Sequence, residues 1–180
     1  MKKLLLIGAI LSLQGCAIYG LTDDSGKLSK EQKAMIVATA DFNAKQPNKI
    51  YAINGKALRA ELQKYPKSLV YVFTNGCGAE SCKPLMTYDN YARKNNIKLF
   101  LVMNGYGNLD YTLAVPHPEP LYAIDNDYYN CTFRGTYTRH FENDLTGKPT
   151  RQKNTEGWQG SLYLFDYGQL EKTLIDLPLE

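Results

Sequence analysis

Two apolar runs constrain the fold of this chain most strongly: Ser68-Leu69-Val70-Tyr71-Val72-Phe73 and Ile97-Lys98-Leu99-Phe100-Leu101-Val102-Met103. Neither alternates polar with apolar residues. Each therefore reads as a strand buried on both faces, as happens where helices cover a parallel sheet from two sides. Between them Leu85, Tyr88 and Ala92 recur at helical spacing, in a helix running to about Asn95. Ahead of the first run come a strand at Ile50 to Ile53 and a helix from Gly55 to Tyr65, with Leu58, Leu62 and Tyr65 on one face. Pro66-Lys67 stops that helix. The order strand–helix–strand–helix–strand predicts an α/β sheet whose parallel neighbours are joined by helices.

The flanks are read by the same rules. Thr22-Asp23-Asp24-Ser25-Gly26 closes a polar tether that starts at Ala17, and Ser29 with Gln32 forms a capping-box pattern. That pattern opens a helix from Lys30 to Ala40 carrying Met35, Ile36 and Ala40, broken at Asn43 to Asn48. Beyond Asn104-Gly105 the chain from Tyr106 to Gln159 is long and irregular, with Pro116, Pro118 and Pro120, a short strand at Leu121 to Ile124, and a helix around Tyr137 to Leu145. Leu162 to Phe165 and Leu170 to Leu174 flank Asp166-Tyr167-Gly168-Gln169 as a hairpin. With 180 residues, 44% hydrophobic and 22% charged, the chain can bury the core of one domain. Plentiful aromatics exclude a disordered chain, and neither a heptad nor an internal repeat is present.

The chain begins Met1-Lys2-Lys3, continues in an apolar run from Leu4 to Leu13, and reaches Leu13-Gln14-Gly15-Cys16. The run is shorter than the roughly 20 residues that span a bilayer. This segment resembles the signal peptide and lipobox of bacterial lipoproteins, which implies cleavage after residue 15 and acylation of the Cys16 thiol. The protein would then be held at a membrane through Cys16 without spanning it. Ala17 follows, and the aspartate that retains enterobacterial lipoproteins in the inner membrane is absent, which favours the outer membrane where that sorting rule applies. Cleavage removes Lys2 and Lys3 and lowers the formal charge of +3 by two, so nucleic acid is not an expected partner. Cys77, Cys82 and Cys131 remain, in a compartment that permits disulfides; three thiols allow three pairings.

Val70 to Phe73, Thr74-Asn75-Gly76-Cys77-Gly78 and Cys82-Lys83-Pro84 together resemble the active-site strand and helix of the thioredoxin superfamily, where a buried strand feeds a loop carrying Cys-Gly-Pro-Cys-Lys. Gly160 to Leu170 resembles the closing hairpin of that family. The resemblance implies a thioredoxin-like three-layer sandwich with a central mixed sheet, an extra N-terminal helix, and a large insertion at about 106–159 before the final hairpin. Residues 1–15 would be the signal peptide, 16–45 the lipidated tether and helix, and 46–180 the thioredoxin-like domain. Three departures stand out: four residues separate the cysteines where the redox enzymes have two, Gly160 stands where the family has a cis-proline facing the sulfurs, and no room remains for a last helix.

Geometry limits the cysteine pair further. On one helix, residues five apart are separated by about 1.5 Å per step and turned by about 140°. Their Cα atoms would exceed the roughly 7 Å limit for a disulfide. A Cys77–Cys82 bridge therefore needs a looped segment, which Gly78 permits and Ser81 would end as an N-cap, with Pro84 in the first helical turn. In that register Cys82 sits at the helix start, where the dipole and Lys83 favour thiolate and Glu80 opposes it. The expected function is thiol–disulfide exchange with envelope proteins, one of Cys77 and Cys82 holding the mixed disulfide and the other resolving it; Cys131 is a candidate resolving thiol or, more often for such a residue, a buried small hydrophobe. The alternative is a non-enzymatic lipoprotein for binding or envelope assembly with a structural bridge.

Weaker patterns complete the reading. Cys77, Cys82, Cys131 and His117 or His140 are the residues from which a soft-metal site would be assembled, although His140 is expected on a helix surface. The expected exchange needs no metal and no cofactor. Tyr122, Tyr128 and Tyr129 near Asp125 and Asp127 are expected to cover a sheet edge and a small local core, ahead of a recognition groove.

Overall fold

The computed structural model describes residues 20–38, 41–43, 46–78 and 82–178. The signal peptide, the lipobox and Cys16 lie outside the described residues. After a short 3-10 turn at Ser25–Lys27, the elements run α1 (Lys30–Met35), β1 (Ile36–Ala38), β2 (Ile50–Ile53), α2 (Gly55–Leu62), β3 (Lys67–Phe73), α3 (Leu85–Lys94) and β4 (Lys98–Met103). They continue α4 (Leu109–Ala114), β5 (Leu121–Ile124), α5 (Arg134–Thr146), β6 (Leu162–Asp166) and β7 (Gln169–Leu174).

All seven strands form one mixed sheet in the order β1-β2-β5-β4-β3-β6-β7. Strands β1, β2, β5, β4 and β3 are parallel, and the β6–β7 hairpin adds antiparallel to β3. The two apolar runs lie side by side as β3 and β4, with Val70 opposite Phe100 and Val72 opposite Val102. Alternate residues of each strand feed opposite cores. Val70, Val72, Phe100 and Val102 meet Leu58 and Leu62 of α2 and Tyr137, Phe141 and Leu145 of α5. Leu69, Tyr71, Phe73, Leu101 and Met103 meet Leu85 and Tyr88 of α3 and Leu109 of α4 on the other face. Three layers result, as two-sided burial requires.

Several expectations are corrected. The helix read from Lys30 to Ala40 ends at Met35, and Ile36-Val37-Ala38 extends instead as an edge strand beside β2. β-branched Ile36 and Val37 favour that exchange. The capping box itself forms: Gln32 N donates to Ser29 Oγ at 3.1 Å, and Ser29 N donates to Gln32 Oε1 at 2.8 Å. No residue of α1 is buried; Leu28, just before it, is what packs into the core.

The segment read as an insertion supplies β5, which stands between β2 and β4 inside the sheet, and the two flanking helices α4 and α5. Tyr122 is accordingly a central core residue and covers no edge. The hairpin forms as read, with Tyr167 at φ 42° and Gly168 at φ 75°, the two left-handed positions of a type I′ turn.

Candidate functional site

The site grows from the carboxyl ends of β3 and β4. Asn104 N donates to the Phe73 carbonyl at 2.9 Å, and Asn104 Nδ2 donates to Thr74 Oγ1 at 2.9 Å, lacing the two strand ends together. Asn75 is buried in the turn that follows. Its Nδ2 donates to Gly105 O at 2.8 Å, and its Oδ1 accepts from Thr112 Oγ1 of α4 at 2.7 Å. Both ends of this side chain are satisfied, so the loop leaves β3 in one defined direction. Sequence reasoning passed over Asn75 and Thr112. The turn residues Thr74-Asn75-Gly76 were legible, but the partner from α4 was not.

Cys77 and Cys82 are bridged across that loop, with their Cα atoms 6.0 Å apart. Cys77, Gly78 and Cys82 are all outside any helix, as a bridge at this spacing demands. The start of the helix differs from expectation. α3 begins at Leu85 with Pro84 at its N-cap position, and Thr87 N donates to the Pro84 carbonyl at 2.8 Å. A helix starting at Cys82 would require a helical Lys83, which the ring of Pro84 disfavours. Cys82 thus stands three residues ahead of the helix, outside the first turn where the dipole acts. Glu80 and the expected N-cap Ser81 lie outside the described residues. Lys83 Nζ pairs with Asp176 at 2.6 Å, tying the loop to the chain end. That hydrogen bond holds the Asp176 carboxyl below its ordinary range.

The bridge separates two concavities. One, of about 430 Å³, is apolar and lined by Phe73, Pro84, Leu85, Met86, Tyr111 and Val115. The other, of about 490 Å³, is mixed in character and lined by Arg134, Thr138, Arg139, Glu142, Trp158 and Ser161. Both include Tyr71, Phe73, Thr74, Cys77 and Cys82. The Tyr71 ring stacks on Tyr88 at 4.2 Å, and burial raises its hydroxyl pKa well above the ordinary value. Burial also raises the Glu142 carboxyl, while a hydrogen bond from Tyr163 pulls the other way.

The remaining predicted residues lie elsewhere. Gly160 has φ +128°, and a Cβ there would overlap the Leu174 carbonyl, so its backbone runs directly against β7. No proline can adopt that φ. The cleft holding both sulfurs is lined by the next residue, Ser161, whose carbonyl accepts from Val72 N at 2.9 Å. Cys131 is free and half-buried, packs against the α2–α5 core, and lines neither concavity beside the bridge.

His140, expected on a surface, is buried on the inner side of α5 with its ring 6.0 Å from that of Tyr129. Burial lowers its pKa. His117 Nδ1 lies 2.8 Å from the Val115 carbonyl. Among the described residues no three His, Cys, Asp or Glu side chains gather as a metal site, and no helix is long and apolar enough to cross a membrane. Tyr129 is buried and its hydroxyl accepts from Gly55 N at 2.8 Å, whereas Tyr128 is exposed.

Fold and site define an α/β protein with a mixed sheet and a disulfide at the carboxyl end of its central strands. Compared with protein-family models, curated proteins and solved structures, the chain finds no match.

Proposed function

We propose that this protein is a lipoprotein of the bacterial envelope with a thioredoxin-like domain, anchored through Cys16 in the outer membrane, that exchanges disulfides with envelope proteins through Cys77 and Cys82. One observation carries this reading: the bridge lies in the loop between β3 and α3, open to two concavities large enough to seat a partner's side chains. The antiparallel hairpin beside β3 is consistent with the same fold. In the exchange, a partner thiolate attacks one sulfur of the bridge, forming a mixed disulfide and releasing the other sulfur as thiolate. A second partner thiolate then displaces the first cysteine. The partner dithiol is oxidised, Cys77 and Cys82 are reduced, and the two partner protons end on them.

A second reading, a fixed bridge in a binding or assembly lipoprotein, is favoured by two observations. Cys82 lacks the activation of a helix start, and Gly160 is committed to packing against β7. Thiol trapping across glutathione ratios, with peptide mapping, separates the two. A Cys77–Cys82 potential between roughly −120 and −270 mV is expected for the exchanging protein. A bridge that stays oxidised below about −300 mV would overturn exchange in favour of the structural reading.

A further inference from the structure

We propose that the face bearing the disulfide docks on the lipid surface, so that Cys77 and Cys82 work at the bilayer and not in bulk solvent. The proposal rests on the lipid-anchor reading above and adds an orientation to it.

The first support is where the tether enters the fold. Gly20 lines the same cleft as Cys77 and Cys82. Only four steps of chain separate it from Cys16, a reach of at most about 14 Å. A domain of this length has a radius of gyration of about 15 Å. A leash that short cannot carry the lipid around to the opposite side.

The second support is the chemistry around that entry point. Leu21 is 57% exposed, Phe133 59% and Trp158 65%, large apolar groups left mostly in water. They belong to one neighbourhood: Arg134 N donates to the Leu21 carbonyl at 2.9 Å, Phe133 directly precedes Arg134, and Trp158 shares the cleft with Arg134 and Gly20. Trp at a membrane interface sits with its ring among headgroups and its N–H toward water.

The third support is charge. Arg134 and Arg139 line the cleft, and among the described residues neither forms an ion pair with a carboxylate. Arg139 Nε and Thr138 Oγ1 are buried without a hydrogen-bond partner. Guanidinium groups so placed suit the phosphate oxygens of lipid headgroups. Glu142 is the acidic residue of the cleft, and burial raises its carboxyl pKa. A basic, aromatic face adds a contact of its own beside the acyl anchor.

Trp158 is the only tryptophan in the chain and reports on this face directly. The full chain is purified from bacterial membranes, its acylation at Cys16 read by mass spectrometry, and the protein reconstituted into phosphatidylethanolamine–phosphatidylglycerol vesicles with brominated acyl chains. Trp158 emission is expected to shift to the blue and to be quenched. A double variant, Trp158→Phe with Tyr167→Trp, moves the reporter to the hairpin turn. That turn bonds to Pro66 at the far end of β3 and should stay unquenched. An acylated, vesicle-bound protein with Trp158 unquenched, or with both positions quenched alike, overturns the orientation and leaves the anchor reading standing. A chain without acyl group on Cys16 overturns the anchor reading, and the orientation with it.

Discussion

Two faces of α5 meet the rest of the molecule in opposite ways. On one, Tyr137, Phe141 and Leu145 are fully buried in the core shared with α2, and the backbones approach so closely that a Cβ on Gly55 would overlap the Phe141 carbonyl. On the other, Arg134, Thr138, Arg139 and Glu142 face an open cleft beside the disulfide. The same helix thus clamps one face of the sheet and leaves room beside it. Close packing is concentrated where nothing needs to enter, and space is kept where Cys77 and Cys82 stand.

The sharpest test of that contrast is stability. Phe141→Ala, on the clamped side, is expected to lose about 3–5 kcal/mol in urea unfolding. Trp158→Ala, in the open cleft and 65% exposed, should stay within about 0.5 kcal/mol of the parent. Comparable losses from the two would erase the distinction.

The bridge comes next in size. Replacing both partners, Cys77→Ser with Cys82→Ser, is expected to cost about 2 kcal/mol, the loop-entropy value for so short a closure. The parent measured in reductant should show the same loss. A parent unaffected by reductant would mean that the loop is held by Asn75 and the Lys83–Asp176 pair alone.

The smallest effect is the one that varies with pH. Burial raises the Glu142 carboxyl above its ordinary value of 4.5, so the folded chain holds this proton to higher pH than the unfolded chain does. Below 4.5 both states are protonated and nothing is lost; as pH rises through the folded-state pKa, ionising the buried group costs stability. Glu142→Gln should therefore melt higher than the parent at neutral pH, with the gap closing as the pH falls through the folded-state pKa towards 4.5. A gap that does not change with pH would remove Glu142 from the buried side of the cleft.

Much of this molecule was legible before folding. Val70 to Phe73 and Leu99 to Met103 had to be strands covered on both faces, because no half-exposed strand tolerates such runs. Ser29 with Gln32, the turn at Tyr167-Gly168, and the need for a non-helical loop between Cys77 and Cys82 were equally readable. Each depends only on residues close together in the chain.

What the tertiary structure alone decided has the opposite character. Ile36 to Ala38 fits a helix by spacing, and becomes a strand because β2 offers an open edge beside it. The four residues of β5 look like a detail within an irregular stretch, yet they complete the sheet by pairing with β2 on one side and β4 on the other. His140 is buried because α5 turns that side toward the sheet, and Ser161 takes the place beside the sulfurs because Gly160 is pressed on β7. Local pattern reports whether a residue seeks cover and with what period. Which segment provides that cover is settled only when distant strands compete for the same edge, and that competition is written in no short stretch of the sequence.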